Sequence, residues 1–465
     1  DRGARNHYEV TTREVFDPTM KMSSTYVKYI QGRVDSIFGG NYGYYNYADR
    51  IFKDYTDAEG TPLKDEDGIP LFSFPHLADN SFVHFTPVEN SDNQVNNIFG
   101  GSEGFPGNVN LNNAMQQEAY VLIDDTQTKD ENRFANTDVY GGGAFAGVGT
   151  SASLGAGRTA VDLYAGSFHN VYGGCNQEGL VGYTRVNVPS GSTVKVNALF
   201  GGGKGYHPDM FVGDEVVLAA RYCDNYVTCV DYQGKDAIVN DAIYGGNENC
   251  RISCDTYINI GVPVMQSSGY QATVYGAGYG RKTVSGRTNV FMNNGSNAYK
   301  VFGGGRDGNA FNFASLKVWL ANQFSTAGSS TVAADVTAYG DILRIFSEYI
   351  SGRNADPDND ITALPPHPIK LPSDVGTYVN ASGVYDGTYT NDILTGDYHQ
   401  TNVHIMNGGN VSGYAYGGGF GADAVVAGST YLELKGGNVD RDIYGGGQGG
   451  PVFDEFGLAK DEDAT

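Results

Sequence analysis

Residue types that commonly serve catalysis, metal binding or nucleic-acid binding are scarce in this chain. Its 465 residues include one tryptophan, five cysteines and eight histidines, and 53 acidic residues outnumber 30 lysines and arginines. The net charge of −23 argues against nucleic acid as a partner, because phosphates require a basic surface. The chain also lacks a run of about 18 apolar residues, so no transmembrane helix is expected.

Sequence signatures of common catalytic sites are missing as well. No Gly-x-Ser-x-Gly nucleophile elbow occurs, and Gly201–Gly205 lacks the spacing of a phosphate-binding loop. Asp124-Asp125 and Asn136-Thr137-Asp138 resemble fragments of the carboxylate site of pectin-cleaving hydrolases. They stand in reversed order and lack the Gly-His-Gly and Arg-Ile-Lys partners. We therefore assign no catalytic residue, and the sequence leans against an enzyme while leaving the question open.

Glycine and tyrosine, in contrast, are abundant, at 66 and 33 residues. Many belong to a motif of an apolar residue, a second residue that is nearly always aromatic, and two or three glycines, of which one is once replaced by alanine. The short intervals between copies are 27 to 32 residues and define a repeating unit. The ten copies are Ile37–Gly40, Ile98–Gly101, Val139–Gly143, Val171–Gly174, Leu199–Gly203, Ile243–Gly246, Val274–Gly278, Val301–Gly305, Ala415–Gly419 and Ile443–Gly447.

Within a unit, a segment of alternating polarity leads to a turn and then to the next motif. Examples are Thr256–Ile260 and Tyr431–Leu434, and typical turns are Pro189–Gly191 and Asn293–Gly295. About three short strands per unit predict an all-β fold, a right-handed parallel β-helix solenoid of about ten coils. We expect the glycines to form a tight corner in every coil, where residues without a Cβ atom stack without clash and permit left-handed backbone, and the aromatic residues to stack in a ladder. A β-propeller is the alternative, although its blades need roughly 50 residues.

Three intervals are longer than one unit and predict insertions at 41–97, 104–138 and 322–400. The last contains an amphipathic pattern that predicts one short helix near 336–350, followed by a Pro- and Asp-rich tether. We treat 1–465 as a single repeat domain, and as a segment of a longer protein because neither end shows a cap. Insertions on solenoids often bind partners, and the first is rich in tyrosine. Its candidate binding residues are Tyr42, Tyr44, Tyr45, Tyr47 and Tyr55.

Two segments resemble calcium-binding motifs, which leaves Ca²⁺ open as a ligand. Gly418–Val426 matches one copy of a calcium nonapeptide and would use Asp423, but such sites require consecutive copies. The segment with Asp356, Asp358 and Asp360 resembles the start of an EF-hand loop without its glycine and final glutamate.

The cysteines are compatible with two interpretations. Export would favour disulfides among four of them, which allow three connectivities and leave Cys175 over. Five buried thiols are equally compatible, because unpaired cysteine is often buried. The disulfide candidates are Cys223, Cys229, Cys250 and Cys254.

The repeated motif, together with strand-and-turn segments such as Val403–Val411, resembles large repeat proteins exported by gut Bacteroidetes-type bacteria. Those are adhesin-like β-helix proteins of the cell surface or the secreted fraction. The resemblance implies an extracellular or cell-surface location and a non-enzymatic role, in which the insertions bind glycans or other surface proteins. A carbohydrate-active enzyme, either a polysaccharide lyase or a glycoside hydrolase, is one alternative. A self-assembling filament or surface-layer subunit, associating through uncapped ends, is the other.

Overall fold

The architecture is built from β-strands throughout the part of the chain that can be described. The computed structural model describes residues 25–40, 80–104, 118–130, 132–149, 157–205, 211–212, 215–216, 223–249, 251–280, 283–311 and 399–449. These ranges contain strands and no helix, and none of their segments is a helix that could cross a membrane. The helix predicted near 336–350 lies outside them.

One long sheet contains twelve strands, each contributed by a different part of the chain. Neighbouring strands pair in parallel and in register, so that Val186 lies beside Val230, and Val230 beside Ile258. The twelve strands are β1 (Thr25–Tyr29), β3 (Asn80–Phe85), β5 (Glu118–Asp124), β7 (Arg158–Ala165), β9 (Gly179–Val188), β13 (Cys223–Tyr232), β16 (Arg251–Ile260), β18 (Thr283–Met292), β21 (Asn309–Phe311), β22 (His399–Met406), β25 (Val426–Ala427) and β26 (Ser429–Lys435).

A second sheet of eleven strands carries the repeated motif. All ten motifs place their apolar and aromatic residues there, in parallel pairs such as Ile98 with Val139 and Phe99 with Tyr140. Its strands are β2 (Ser36–Phe38), β4 (Asn97–Phe99), β6 (Asp138–Tyr140), β8 (Ser167–Tyr172), β10 (Lys195–Phe200), β14 (Ile238–Val239), β15 (Ala242–Tyr244), β17 (Thr273–Tyr275), β20 (Val301–Phe302), β24 (Ala415–Tyr416) and β28 (Ile443–Tyr444).

Two small sheets complete the described strands. A three-stranded parallel sheet contains β19 (Asn297–Ala298), β23 (Asn410–Val411) and β27 (Asn438–Val439), and an antiparallel pair contains β11 (Phe211–Val212) and β12 (Glu215–Val216). Parallel strands in stacked sheets are compatible with the predicted parallel β-helix. They exclude the propeller in the described ranges, because propellers are antiparallel architectures.

The main apolar core is formed by inward-facing residues of the long sheet and the motif sheet. The first residue of nearly every motif belongs to it, and Ile98, Val139 and Ile243 are completely buried. Fully burying such a side chain contributes about 1.5–3 kcal/mol. The core therefore runs along the whole stack, as expected when each unit can bury its apolar residues only against its neighbours.

The motif glycines are required by a close approach between units. A Cβ atom on Gly201 would lie 2.3 Å from the Gly245 carbonyl oxygen of the next unit, and one on Gly245 would lie 2.1 Å from that of Gly276. The predicted stacking of these glycines without a Cβ clash is confirmed, but the first glycine of every motif does not adopt the left-handed backbone that glycine permits. It is found instead in the turns, where Gly191 and Gly295 have φ of 87° and 88°.

Parts of the predicted insertions are regular strands. Strand β3 lies within 41–97 and pairs with β1, and strand β5 lies within 104–138 and pairs with β3. The remainder of these two intervals includes residues 41–79 and 105–117, which lie outside the described residues, as do 312–398.

Candidate functional site

The aromatic residues of the ten motifs form one continuous ladder on the side of the motif sheet that faces away from the main core. Successive rings stack with centroids 4.6–5.1 Å apart and planes within 12° of parallel. The predicted ladder is thereby confirmed, and its interior rings are buried, so they offer no open platform for a sugar. In order the rings belong to Phe38, Phe99, Tyr140, Tyr172, Phe200, Tyr244, Tyr275, Phe302, Tyr416 and Tyr444.

A row of side chains covers this ladder from outside. It comes from the position three residues after the first glycine, where backbone hydrogen bonds such as Lys204 N to Cys175 O join neighbouring units. Some members of this covering row are aromatic, and Tyr279 lies 5.7 Å from the ring of Tyr244. Three other members, Lys204, Glu248 and Arg306, bring charge to the outer side of the ladder.

Asp138 is the centre of a polar group that we name the clamp cluster, which comprises Asp138, Tyr140, His169, Tyr172, Lys204 and Glu248. The Asp138 Oδ1 atom lies 2.8 Å from His169 Nδ1 and accepts a hydrogen bond from the backbone N of Asn170 at 3.2 Å. Its Oδ2 accepts from the Tyr140 hydroxyl at 3.0 Å and from Lys204 Nζ at 2.9 Å. Both oxygens of this buried carboxylate are therefore fully engaged.

Electrostatics keep Asp138 ionised. Burial alone would raise the pKa of its carboxyl group, but the Lys204 ammonium and the hydrogen bond from His169 outweigh burial, and the pKa lies below its ordinary value of 3.8. Burial also raises the pKa of the Tyr140 phenol well above its ordinary value. The phenol therefore stays protonated and serves as a hydrogen-bond donor to the carboxylate.

Glu248 is the second carboxylate of the clamp cluster and behaves in the opposite way. Burial raises its pKa, although the hydrogen bond from the Tyr172 hydroxyl and the charge of Lys204 counteract part of that effect. Lys204 connects the Asp138 side of the clamp cluster with the Tyr172–Glu248 side, because its Nζ atom also lies 5.7 Å from the centre of the Tyr172 ring. Solvent reaches the cluster through His169, whose side chain is 48 % exposed, and Lys204, which is 30 % exposed.

A related arrangement recurs farther along the ladder. The Arg306 guanidinium lies 3.3 Å from Asp241 and 3.4 Å from the Tyr244 hydroxyl, which itself donates to Asp241 at 3.2 Å. As with Lys204, a cation of the covering row reaches back to a carboxylate and a phenol two motifs earlier. The recurrence indicates that these groups fasten neighbouring units together.

The structure describes only some of the residues that the sequence analysis proposed for ligand or metal binding. The five tyrosines Tyr42, Tyr44, Tyr45, Tyr47 and Tyr55 lie outside the described residues. The same is true of Asp356, Asp358 and Asp360. Asp423 is described, and its backbone carbonyl accepts from Val425 N. Among the described residues, no group of three or more His, Cys, Asp or Glu side chains could hold a metal ion.

Three of the disulfide candidates, Cys223, Cys229 and Cys254, are buried in β13 and β16. No disulfide joins these three described cysteines. The fourth candidate, Cys250, lies outside the described residues, so a bond that involves it stays a prediction. Cys175 is buried too, and burial raises the pKa of its thiol to about 12, which makes it unreactive at neutral pH.

Sequence reasoning missed a row of hydroxyl groups that brace the glycine corner. In nine units a threonine or serine of a long-sheet strand donates to the carbonyl of the motif's first glycine, at 2.5–2.6 Å. Thr228 to Gly245 is one such bond. In the tenth unit, that of Gly141, this position of the row is taken by Ala119, which pairs with Ser81 and Thr159. The signal is a hydroxyl residue 14 to 20 positions before the glycine.

Asp138 was noticed in the sequence only as a fragment of a hydrolase motif. The other fragment of that motif includes Asp125, which has a local structural role, because its Oδ1 accepts a hydrogen bond from Thr128 N at 3.1 Å within a turn.

Comparisons of the chain with protein-family models, with curated proteins and with solved structures give no match. The clamp cluster is therefore interpreted from its own geometry.

Proposed function

We propose that this chain is a non-enzymatic, adhesin-like scaffold of the cell surface or the extracellular space. In this proposal the strands wind as a right-handed parallel β-helix of about ten coils, and the insertions contact glycans or partner proteins. The observation that carries the proposal is that groups of the protein itself satisfy both carboxylate oxygens of Asp138, the centre of the clamp cluster.

The clamp cluster is suited to holding neighbouring units together. Asp138 accepts four hydrogen bonds from protein groups, so a substrate would have to displace one of them before the carboxylate could act. The second arrangement, at Arg306 and Asp241, has the same combination of cation, carboxylate and phenol. A structural role explains why this combination occurs twice. A rigid stack of this kind leaves ligand contact to the segments between units, where the candidate tyrosines of residues 41–79 lie.

Binding measurements with matched tyrosine variants test this role. The full chain and a variant with Tyr42, Tyr44, Tyr45, Tyr47 and Tyr55 all changed to serine would be applied to a glycan array and to immobilised bacterial surface proteins. We expect the unaltered chain to bind a subset of these ligands and the five-tyrosine variant to lose that binding. Tyr270→Ser is the control, because Tyr270 is exposed in the described stack. Equal binding by the unaltered chain and the five-tyrosine variant would refute the assigned site.

One observation favours a second candidate, a carbohydrate-active enzyme. Asp138 and Glu248 belong to one network, and their pKa values are shifted in opposite directions. Such a pair can divide the roles of ionised carboxylate and protonated general acid. In this candidate function Glu248 would protonate the leaving oxygen, and the exposed His169 and the partly exposed Lys204 would orient the sugar.

Product analysis separates the two candidates. The chain would be incubated with uronate-rich and neutral polysaccharides, and new reducing ends or unsaturated ends would be measured. The scaffold proposal expects neither product. Turnover that Glu248→Gln and Asp138→Asn abolish, but that Asp241→Asn retains, would establish the enzyme, provided that all three variants keep their thermal unfolding midpoint.

A further inference from the structure

Lys204 and Asp138 bring a primary amine directly against a carboxyl group inside the clamp cluster. Lys204 Nζ lies 2.9 Å from Asp138 Oδ2, although the two residues are 66 positions apart in the chain. The Asp138 side chain is only 11 % exposed, and the nearby Tyr140 and Tyr172 are almost completely buried. Two groups that a fold holds at contact distance react as if they were present at very high concentration, which favours a covalent bond between them.

The partners of Asp138 give its two oxygens different surroundings. Oδ1 accepts hydrogen bonds from Asn170 N and from His169, and donors of this kind stabilise the negative charge that develops on a carbonyl oxygen during nucleophilic attack. Oδ2 lies beside the Lys204 amine and accepts a hydrogen bond from the Tyr140 hydroxyl at 3.0 Å. One oxygen is therefore held in place, while the other lies between the amine and a proton donor.

Glu248 is a group of the clamp cluster that can exchange protons with this pair. Burial raises the pKa of its carboxyl group, so its protonated form is more populated than in an exposed glutamate. The charges of Lys204 and Asp138 both act on Glu248, which places it in the same network. Amide formation needs an uncharged amine and a protonated carboxyl group. An acid–base group produces both when it takes a proton from the ammonium and gives one to the carboxylate.

We infer that Lys204 and Asp138 condense to form an intramolecular amide, an isopeptide bond. The bond between Lys204 Nζ and Asp138 Cγ forms, and the bond between Cγ and Oδ2 breaks. Of the three ammonium protons, one stays on the amide nitrogen and two leave with Oδ2 as water, so the step needs no oxidant or cofactor. It is slow, because the low pKa of Asp138 keeps its carboxyl group mostly ionised, and freshly folded protein holds mainly the ion pair.

The related arrangement at Arg306 and Asp241 provides an internal contrast. A guanidinium stays protonated at neutral pH and does not act as an amine nucleophile, so this contact of 3.3 Å remains an ion pair. The bond at Lys204 would join units two motifs apart, in a chain whose described cysteines form no disulfide. The inference is independent of the ligand of the insertions. It excludes the enzyme candidate in the condensed molecule, because an amide at Asp138 leaves no carboxylate there.

Intact-mass measurements on the full chain, repeated for days after purification, test the inference. We expect the mass to fall by one water, and a protease digest to contain the Lys204 peptide linked to the Asp138 peptide. Lys204→Arg is the matched control, because it keeps the cation without the amine, and it should yield no linked peptides. Glu248→Gln should slow the loss of water at least about tenfold, whereas Asp241→Asn should leave its rate unchanged.

The leaving group gives a second readout. Asp138→Asn should release one ammonia in place of one water, because the attacked carbon then carries an amide nitrogen. An aspartate that precedes glycine, such as Asp307, can lose the same water by closing on its own backbone, but that product is a single peptide and persists in Lys204→Arg. A folded, unaltered chain whose mass never falls would overturn the inference. So would a loss of water that Lys204→Arg retains in full.

Discussion

At the scale of the residue, two chemically simple rows determine the corner of each unit. A first glycine leaves room for the carbonyl of the next unit, and a hydroxyl donates to the carbonyl of that same glycine. One unit shows the glycine and the hydroxyl together, at Gly201 and Thr184, because Thr184 Oγ1 donates to Gly201 O at 2.5 Å. The corner is thus specified by the absence of a side chain at one position and by a single donor at another.

Substituting an interior first glycine should destabilise the fold. A Cβ atom in Gly201→Ala would meet the Gly245 carbonyl at 2.3 Å, so the two units must move apart, at an expected cost of about 1–3 kcal/mol. Gly446→Ala is the control, because no atom of the described residues lies within 4 Å of its Cβ position, and we expect a change within about 0.5 kcal/mol. Denaturant unfolding of both variants measures the difference. Equal free energies of unfolding would contradict the close-approach explanation.

Removing one hydroxyl of the row should leave a buried carbonyl without its donor. Thr228→Val keeps the shape of the completely buried side chain but loses the bond to Gly245 O, at an expected cost of about 1–3 kcal/mol. The reciprocal change is Ala119→Ser, which would supply the missing donor in the interrupted unit and should stabilise by up to about 1 kcal/mol. Both free energies of unfolding can be measured in urea. Opposite signs are expected, and a shared sign would count against the row.

At the scale of the strand, the long sheet is buried on both faces near its middle. Every residue of β13 and of β18 is buried, although their sequences alternate in polarity. The outward polar groups pair with each other instead of facing water, as Arg287 and Asp255 do at 3.2 Å. Buried polar groups of this kind must be hydrogen-bonded to be tolerated, so strand register and polar pairing reinforce each other.

The clamp cluster joins strands of the motif sheet, and Lys204→Met tests its contribution. Asp138 would stay buried without its ammonium partner, and we expect a loss of about 1–3 kcal/mol at neutral pH. Because its folded pKa lies below the 3.8 of the unfolded chain, this stabilisation is present above that pH and disappears as the pH falls through the folded pKa. The difference between the variant and the unaltered chain should therefore shrink in acid.

A lysine outside the cluster provides the comparison. Lys235 is exposed, and Lys235→Met should change the free energy of unfolding by at most about 0.5 kcal/mol at any pH. Chemical denaturation at a series of pH values from neutral to strongly acidic measures both variants. A loss in Lys204→Met that is independent of pH would show that packing, and not the ion pair with Asp138, stabilises the joint.

At the scale of the whole molecule, each described unit depends on its neighbours for a covered core and a paired edge. Stability in such stacks is close to a sum of unit and interface contributions. Interior strands such as β13 and β18 have neighbours on both sides, whereas β26 and β28 have one. The open end is therefore the part of the described stack with the lowest expected local stability.

Hydrogen exchange should reveal this gradient. In dilute protein, we expect the amides of β26 and β28 to exchange at least about tenfold faster than those of β13 and β18. Uniform protection along the stack would indicate that the described units unfold together as one cooperative body.

The repeated motif allowed much of the fold to be predicted from the sequence. The parallel strands, the aromatic ladder and the turns at Gly191 and Gly295 follow from patterns that recur at a nearly constant spacing. The clamp cluster could not be found in that way, because Asp138 and Lys204 are 66 residues apart and Tyr172 and Glu248 are 76 apart. Such contacts depend on how many residues intervene between motifs, and those intervals are irregular.

The amino-acid sequence by itself determined the kind of unit and the stacking of its aromatic rings, because both depend on residue order within one unit. Only the tertiary structure decided which units become neighbours in register and what their side chains meet there. Met292 and Ile405 lie side by side across an interval of more than a hundred residues. Pairing in a parallel sheet aligns equivalent strands whatever length of chain separates them, and that alignment produces the glycine contacts, the hydroxyl row and the clamp cluster.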